Sequence, residues 1–323
     1  MPYAKPFLTI QQQLALLQQR GLQITDVAKA NACLGRIGYY RLSGYLHSFR
    51  ESQVVKDANG VTTTQILDNY RAGTDLQTIV DLYVFDKKLR LLMLDAMERI
   101  EVALRVEVAT LLGARSGWAH RDPAQLNQRF VQTVKPGSQL PQHQEWVRRI
   151  DDTFARSKED FVKHFKSRYA GDHLPIWMSI ELWEFGTLSV FFGGMLGKDK
   201  NTIAQKYGVP LGLELETWLR NLNVCRNICA HHSRLWNKPS VIQMRLPAAK
   251  AAPELAHIIG NTHAQTRVYG SALIATYLLR SINPTSSWCQ RFVALTKEFP
   301  QTPHVSLAQA GFPTGWDKQS IWN

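Results

Sequence analysis

The residues of this sequence best suited to chemistry stand together as Arg226-Asn227-Ile228-Cys229-Ala230-His231-His232, followed by Arg234, Leu235, Trp236 and Asn237. An imidazole ionises near neutral pH and can take or give a proton during a reaction, typically for about 10² to 10⁴ in rate. A guanidinium is a permanently charged fork matched to phosphate, able to hold charge that develops in a transition state. The pair suits cleavage of an RNA phosphodiester without a metal. That reaction takes the proton from a ribose 2′-hydroxyl, stabilises the phosphoryl oxygens and protonates the departing 5′-oxygen. One histidine cannot easily serve both ends. Either His232 is the second acid/base group, or a homodimer sets a second copy of the motif across the phosphate.

Spacing alone decides little, because Arg41/His47, Arg115/His120, Arg168/His173 and Arg226/His232 also fit an Arg-x4-6-His pattern. Context separates them: the first three pairs each span a glycine, whereas Arg226 and His231 fall in a helical stretch. On a straight helix an i, i+5 pair is about 140° apart, while Asn227 and His231 at i, i+4 share a face. The spacing therefore predicts His231 supported by Asn227, with the long Arg226 reaching round the rim. A plain structural Arg/His pair is the bland alternative. A zinc site from Cys225, Cys229, His231 and His232 would crowd every ligand onto two turns without a return loop, and no base partner is evident for a cysteine nucleophile. No metal and no cofactor are expected.

The charge balance points the same way. The 323 residues carry 38 Lys+Arg against 26 Asp+Glu, a net charge of +12, and residues 201–250 hold 7 basic against 2 acidic side chains. Such a surplus favours a polyanion, nucleic acid first and an anionic membrane second. Four cysteines do not make the framework of a small secreted domain. The first residues lack a signal peptide pattern and no apolar run of about 18 residues appears, so a cytoplasmic chain without a membrane segment is expected.

The elements that must position the motif read as helices. Thr9 caps a helix over 9–20 that Gly21 stops, and Thr25 opens another to about Gly35. The aromatic segment Ile37–Tyr45 follows, then a polar stretch around Asp57–Gly60 that reads as a loop or short hairpin. Residues 75–112 contain neither Pro nor Gly and repeat apolar residues at three and four spacing, which predicts one long helix or two coaxial ones. Its polar face carries Glu98, Arg99, Glu101, Arg105 and Glu107, either as solvated ion pairs or lining the site. Residues 113–137 read as loop, 141–169 as helical, and 175–186 as a short buried helix begun by Pro175 and ended by Gly186. Pro210 opens the motif helix to 232, and two or three helices follow between 252 and 310. The fold class is all-α, divided into an N-terminal helical subdomain (1–72), a catalytic core (73–250) and a C-terminal helical extension (251–323).

Three ordered stretches carry a family resemblance: Lys5–Thr9 with Arg20–Leu22 and Ile37–Tyr45; Pro175–Trp177 through Phe185–Ser189; and Arg226-Asn227-x3-His231 with His232, Arg234, Leu235, Trp236 and Asn237. The chain resembles the Abi-like abortive-infection proteins of the AbiD/AbiF type, in the HEPN superfamily. The resemblance implies a HEPN helical bundle, a metal-independent endoribonuclease leaving a 2′,3′-cyclic phosphate, and a toxin-like role in bacterial antiphage defence. It also implies a composite site in a homodimer and a structured noncoding RNA as regulator or antitoxin. Arg226, Asn227 and His231 take the catalytic positions. Tyr39, Tyr40, Arg41 and Tyr45 interleave aromatic and basic character suited to single-stranded RNA, with core packing as the alternative. Lys5, Arg234, Lys238 and Arg245 are expected phosphate contacts. The rival function is a non-catalytic RNA-binding or regulatory protein of the same fold.

Overall fold

The computed structural model describes residues 4, 6–56, 60–169, 171 and 173–323. It is mostly helical. The one departure from an all-α fold among the described residues is an antiparallel hairpin, β1 (Arg50–Lys56) with β2 (Thr62–Tyr70), paired from Arg50 opposite Tyr70 to Lys56 opposite Thr62. The expected polar stretch is thus a hairpin; its Asp57–Asn59 lie outside the described residues.

Local chemistry accounts for the N-terminal helices. In α1 (Ile10–Gln19) the Thr9 hydroxyl accepts from the Gln12 N–H while the Gln12 side chain accepts from the Thr9 N–H, a reciprocal cap that satisfies two orphan donors. Asp26, not Thr25, caps α2 (Val27–Ile37), which runs past Gly35. Gly38, at φ +86°, then turns the chain directly into α3 (Tyr39–Leu46).

Residues 76–113 form a single 38-residue helix, α4 (Leu76–Gly113), capped by Asp75. Its buried side chains recur from Leu76 through Leu112 at helical spacing, so it is the axis on which α3, α8, α11, α13 and α14 pack. The region read as loop holds a short α5 (Gln128–Gln132), and Ser157 breaks the 141–169 stretch into α6 (Gln142–Arg156) and α7 (Asp160–Arg168). Gly186 does not end a helix. After α8 (Ile176–Ser179) and a 3-10 turn, it lies in the first turn of α9 (Phe185–Gly194), and a Cβ there would sit 3.3 Å from Asn223 Oδ1. The glycine serves close helix contact rather than chain reversal.

The remaining helices are α10 (Gly197–Lys206), α11 (Gly212–Ala230), α12 (Thr262–Gln265), α13 (Val268–Ile282) and α14 (Trp288–Thr296). Helix α11 is enclosed by α4, α9, α10 and α13. Its buried stripe, Leu215, Trp218, Leu219, Leu222, Cys225 and Cys229, belongs to one apolar cluster reaching from Leu14 to Trp322. No helix among the described residues is long and apolar enough to cross a membrane.

One buried group carries a pH dependence. His120 is 0% exposed, lies beside the rings of Trp146 and Trp183, and neither ring nitrogen has a hydrogen-bond partner among the described residues. Burial, reinforced by Arg121, pushes its pKa down from 6.5 to about 3. The unfolded chain therefore takes up a proton before the folded one. Stability is intact above pH 6.5 and falls as pH drops toward 3, with a limiting slope of about 1.4 kcal/mol per pH unit from this group. His120→Phe should flatten that loss: urea midpoints compared near pH 7.5 and about pH 5 are expected to differ less in the variant than in the parent chain.

Candidate active site

The backbone leaves helical geometry within the motif. Helix α11 stops at Ala230, so His231 is the C-terminal cap and His232, at φ +55°, is the only non-glycine with positive φ among the described residues. The Ser233 N–H donates to the Ile228 carbonyl at 2.9 Å and the His232 N–H to the Cys229 carbonyl at 3.0 Å. This is a Schellman closure, in which glycine normally takes the left-handed residue. The expectation that the helix continues to 232 is corrected accordingly. His231 and His232 project from an exposed turn at the helix end.

Strain at His232 predicts a measurable gain. His232→Gly should raise unfolding stability by about 1 kcal/mol in denaturant titration, because left-handed backbone costs an L-residue about that much. His232→Ala should bring no such gain.

Arg226 lies one turn earlier and is half-buried; its Nη1 donates to Asn227 Oδ1 at 3.2 Å. Among the described residues no carboxylate is within ion-pair distance of it. The expected support of His231 by the Asn227 side chain is absent: Asn227 orients Arg226 instead, and only its backbone carbonyl accepts from the His231 N–H, at 3.0 Å. The His231 ring has no hydrogen-bond partner among the described residues, so both nitrogens are open.

Glu101 of α4 looks toward this site. Burial raises its pKa, Arg105 at 2.6 Å and the positive field of Arg226 pull it down, and Glu184 adds to the rise. Arg105 also donates to the Trp183 carbonyl at 2.6 Å, tying α4 to the segment before α9. Of the polar face read from residues 75–112, Glu101 and Arg105 pair with each other largely shielded from solvent, and Glu101 lies within the field of Arg226.

A buried carboxylate anchors the turn. Asp86 of α4 is 0% exposed and accepts from the Tyr45 hydroxyl (2.6 Å), Arg90 (2.5 Å) and the backbone N–H groups of Leu235 and Trp236 (2.8 Å to Trp236). Burial pushes its pKa up, and the donors around it, Arg90 first, oppose that rise. Further along, Asn221 donates to the Ile242 carbonyl (2.9 Å) and accepts from Ser271 (2.7 Å), while the Trp218 indole donates to the Arg245 carbonyl (2.6 Å). The chain after the motif is thereby folded back along α11.

Helix α3 closes the other side. Arg41 Nη1 donates to the His232 carbonyl at 2.7 Å, and Arg234 donates to the Gly44 carbonyl. Burial pushes the Arg234 pKa down. The expected RNA contacts divide on this basis. Tyr40, 92% exposed, and Arg41, Lys238 and Arg245 are at the surface; Tyr39 and Arg234 are half-buried. Tyr45, 2% exposed with its hydroxyl on Asp86, offers no ring face to a base, which corrects that expectation. Lys5 lies outside the described residues.

The ligand set weighed for zinc does not converge. Cys225 and Cys229 are buried in the core while His231 and His232 are exposed, and the Cys225 contact followed by burial holds the Cys229 thiol above its usual range.

Of the stretches read as a family resemblance, Ile37–Tyr45 and the motif meet at the end of α11 through Arg41 and Arg234, Gly186 packs against Asn223 further back along α11, and Pro175–Trp177 lies against the C-terminal end of α4. Comparison with known families agrees: the model of the Abi-like proteins matches residues 32–237. The chain belongs to the Abi-like protein family. No curated protein and no solved structure matches it. The Abi-like span opens within α2 and closes at Asn237, just past the turn that Asp86 holds. The Lys5–Leu22 stretch, though part of the resemblance, falls outside it. Inside it lie α3, Asp86, Glu101, α9 and the whole Arg226–His232 motif, so the anchoring network and the candidate pair Arg226 and His231 belong to the family portion of the chain.

Proposed function

We propose that this Abi-like chain is a metal-independent endoribonuclease of HEPN type, acting in the abortive-infection defence that its family suggests. The observation that carries the reading is the presence, in the last turns of one helix, of a guanidinium with no carboxylate within ion-pair distance among the described residues and an exposed imidazole whose ring has no hydrogen-bond partner among them. Arg226, steered by Asn227, holds the scissile phosphate and the charge that gathers on it. His231 takes the 2′-hydroxyl proton, and the 2′-oxygen attacks phosphorus as the bond to the 5′-oxygen breaks, leaving a 2′,3′-cyclic phosphate. The proton for the leaving oxygen comes from His232 or from His231 of a second copy in a homodimer.

The 73–250 core carries this chemistry. The neighbouring surface, with Tyr40, Arg41, Lys238 and Arg245, takes the RNA strand, and a structured noncoding RNA held on the same surface is the natural restraint on such an enzyme in a cytoplasm. Incubating RNA with the purified chain in excess EDTA separates the alternatives. The expected result is cleavage; binding without cleavage favours a regulatory RNA-binding protein, and activity abolished by EDTA and restored by a divalent ion overturns the mechanism.

A further inference from the structure

At the opposite end of α11 from His231 lies an open cavity of about 680 Å³, between α5, the end of α9 and the start of α10. Arg129, Lys135, Lys200 and Arg220 line it, with Glu216 as the one acidic side chain among the described residues there. Glu216 is already occupied by Lys200 at 2.8 Å, and Arg220 stands only loosely against it at 3.8 Å. Arg129 and Lys135 have no carboxylate within ion-pair distance among the described residues, and both are exposed. The groove therefore keeps a surplus of positive charge that nothing among the described residues neutralises.

Its walls are built rather than incidental. Asn127 caps α5 through the Phe130 N–H (2.8 Å) and donates to the carbonyls of Gly193 (2.9 Å) and Met195 (3.2 Å), pinning α5 to the end of α9. A Cβ at Gly194 would come within 2.2 Å of the Phe130 ring, so a glycine is needed for that docking. A Cβ at Gly193 would stand 3.2 Å from Glu216, and one at Gly186 3.3 Å from Asn223, so α9 runs antiparallel to α11 at close range. The groove is thus tied to the helix that carries the motif.

Position along that helix gives the groove its meaning. Arg220 precedes His231 by eleven residues, which on an α-helix is a separation of about 16 Å with only about 20° of rotation. Glu216, Arg220, Asn223 and Asn227 fall on one side of α11, along which α9 packs, so the groove and the candidate turn lie toward the two ends of one helix pair. We propose that this groove is a second binding site for the RNA substrate, holding the phosphodiester backbone a few nucleotides away from the bond that is cut. The inference rests on the ribonuclease reading of the Arg226/His231 turn. The only aromatic ring lining the groove among the described residues, Phe130, is buried, so the site reads phosphates and not bases. It makes affinity depend on RNA length and salt, and leaves sequence preference to the surface nearer His231.

The test uses the full-length chain carrying His231→Ala, so that binding is measured without cleavage, and fluorescently labelled oligouridylates as the probe. Adding Arg129→Ala and Arg220→Ala, both at exposed positions, should weaken binding of an oligomer of about 12 nucleotides by roughly tenfold and reduce the slope of log affinity against log salt by about 1.4. An oligomer of about four nucleotides, too short to span both sites, should lose much less. Lys158→Ala with Lys297→Ala, exposed cations outside the groove, removes the same charge and should leave the slope unchanged. Equal losses from both double variants, no dependence on RNA length, or equal competition by polyglutamate would overturn the proposal. If the parent chain fails to cut RNA while the groove-dependent slope persists, the ribonuclease reading falls and the groove stands as an RNA site.

Discussion

His231→Ala is expected to abolish RNA cleavage, lowering the rate by about 10² to 10⁴ while leaving RNA affinity within about twofold of the parent chain. The reason is local. The imidazole is exposed, lies outside the helix and has no hydrogen-bond partner among the described residues, so removing it costs the fold little. Arg226→Ala should lower the rate by about 10² to 10³ and weaken binding as well, because the same guanidinium that stabilises the transition state also holds the ground-state phosphate. Arg226→Lys should not restore full activity, since an ammonium cannot reproduce the bidentate fork. Single-turnover cleavage with binding measured in parallel separates these effects. A His231→Ala chain that cuts RNA at the parent rate would remove His231 from the mechanism.

The largest stability effect should come from Asp86→Ala. That carboxylate is sealed from solvent and answers Arg90, the Tyr45 hydroxyl and the Leu235 and Trp236 N–H groups. Deleting it leaves a buried guanidinium without a counter-charge and two buried N–H donors without acceptors, an expected loss of about 3 to 5 kcal/mol. Tyr45→Phe removes one hydrogen bond from the same hub and should cost about 1 to 1.5 kcal/mol. Because Leu235 and Trp236 are tethered to Asp86, whatever Asp86→Ala protein remains folded should also cut RNA more slowly, its reactive turn no longer fixed. Urea unfolding of the three chains gives the ranking; an Asp86→Ala chain as stable as the parent would show that Asp86 does not hold the turn.

These two results also mark what the sequence could and could not reveal. Helix α4 was legible because thirty-eight residues without proline keep a helical apolar repeat, and α1 because Thr9 and Gln12 stand at capping distance. The hairpin was legible only as a loose alternative: both faces of β1 and nearly all of β2 are solvent-facing, so the alternation that marks a half-buried strand never arises. The end of α11 was misplaced by two residues because the left-handed position that glycine or asparagine would announce is filled by His232. The candidate residues Arg226 and His231 stood out by type and by the basic stretch around them. Their orientation did not, since it depends on Asn227 bonding sideways to Arg226 and on Asp86, some 150 residues earlier in the chain. Tyr45 was indistinguishable from Tyr40 by type; a buried carboxylate 41 residues away is what draws it inward.

The central claim is that a neighbouring 2′-hydroxyl, activated at His231 with its phosphate held by Arg226, breaks the RNA chain. The most direct measurement maps where the purified chain cuts an RNA, then repeats the reaction on the same RNA carrying a single 2′-deoxy sugar on the 5′ side of the scissile linkage. The account predicts that this linkage alone becomes resistant and that the uncut-to-cut ratio elsewhere is unchanged. Continued cleavage at the deoxy position would mean that the attacking oxygen comes from water, and would contradict the mechanism.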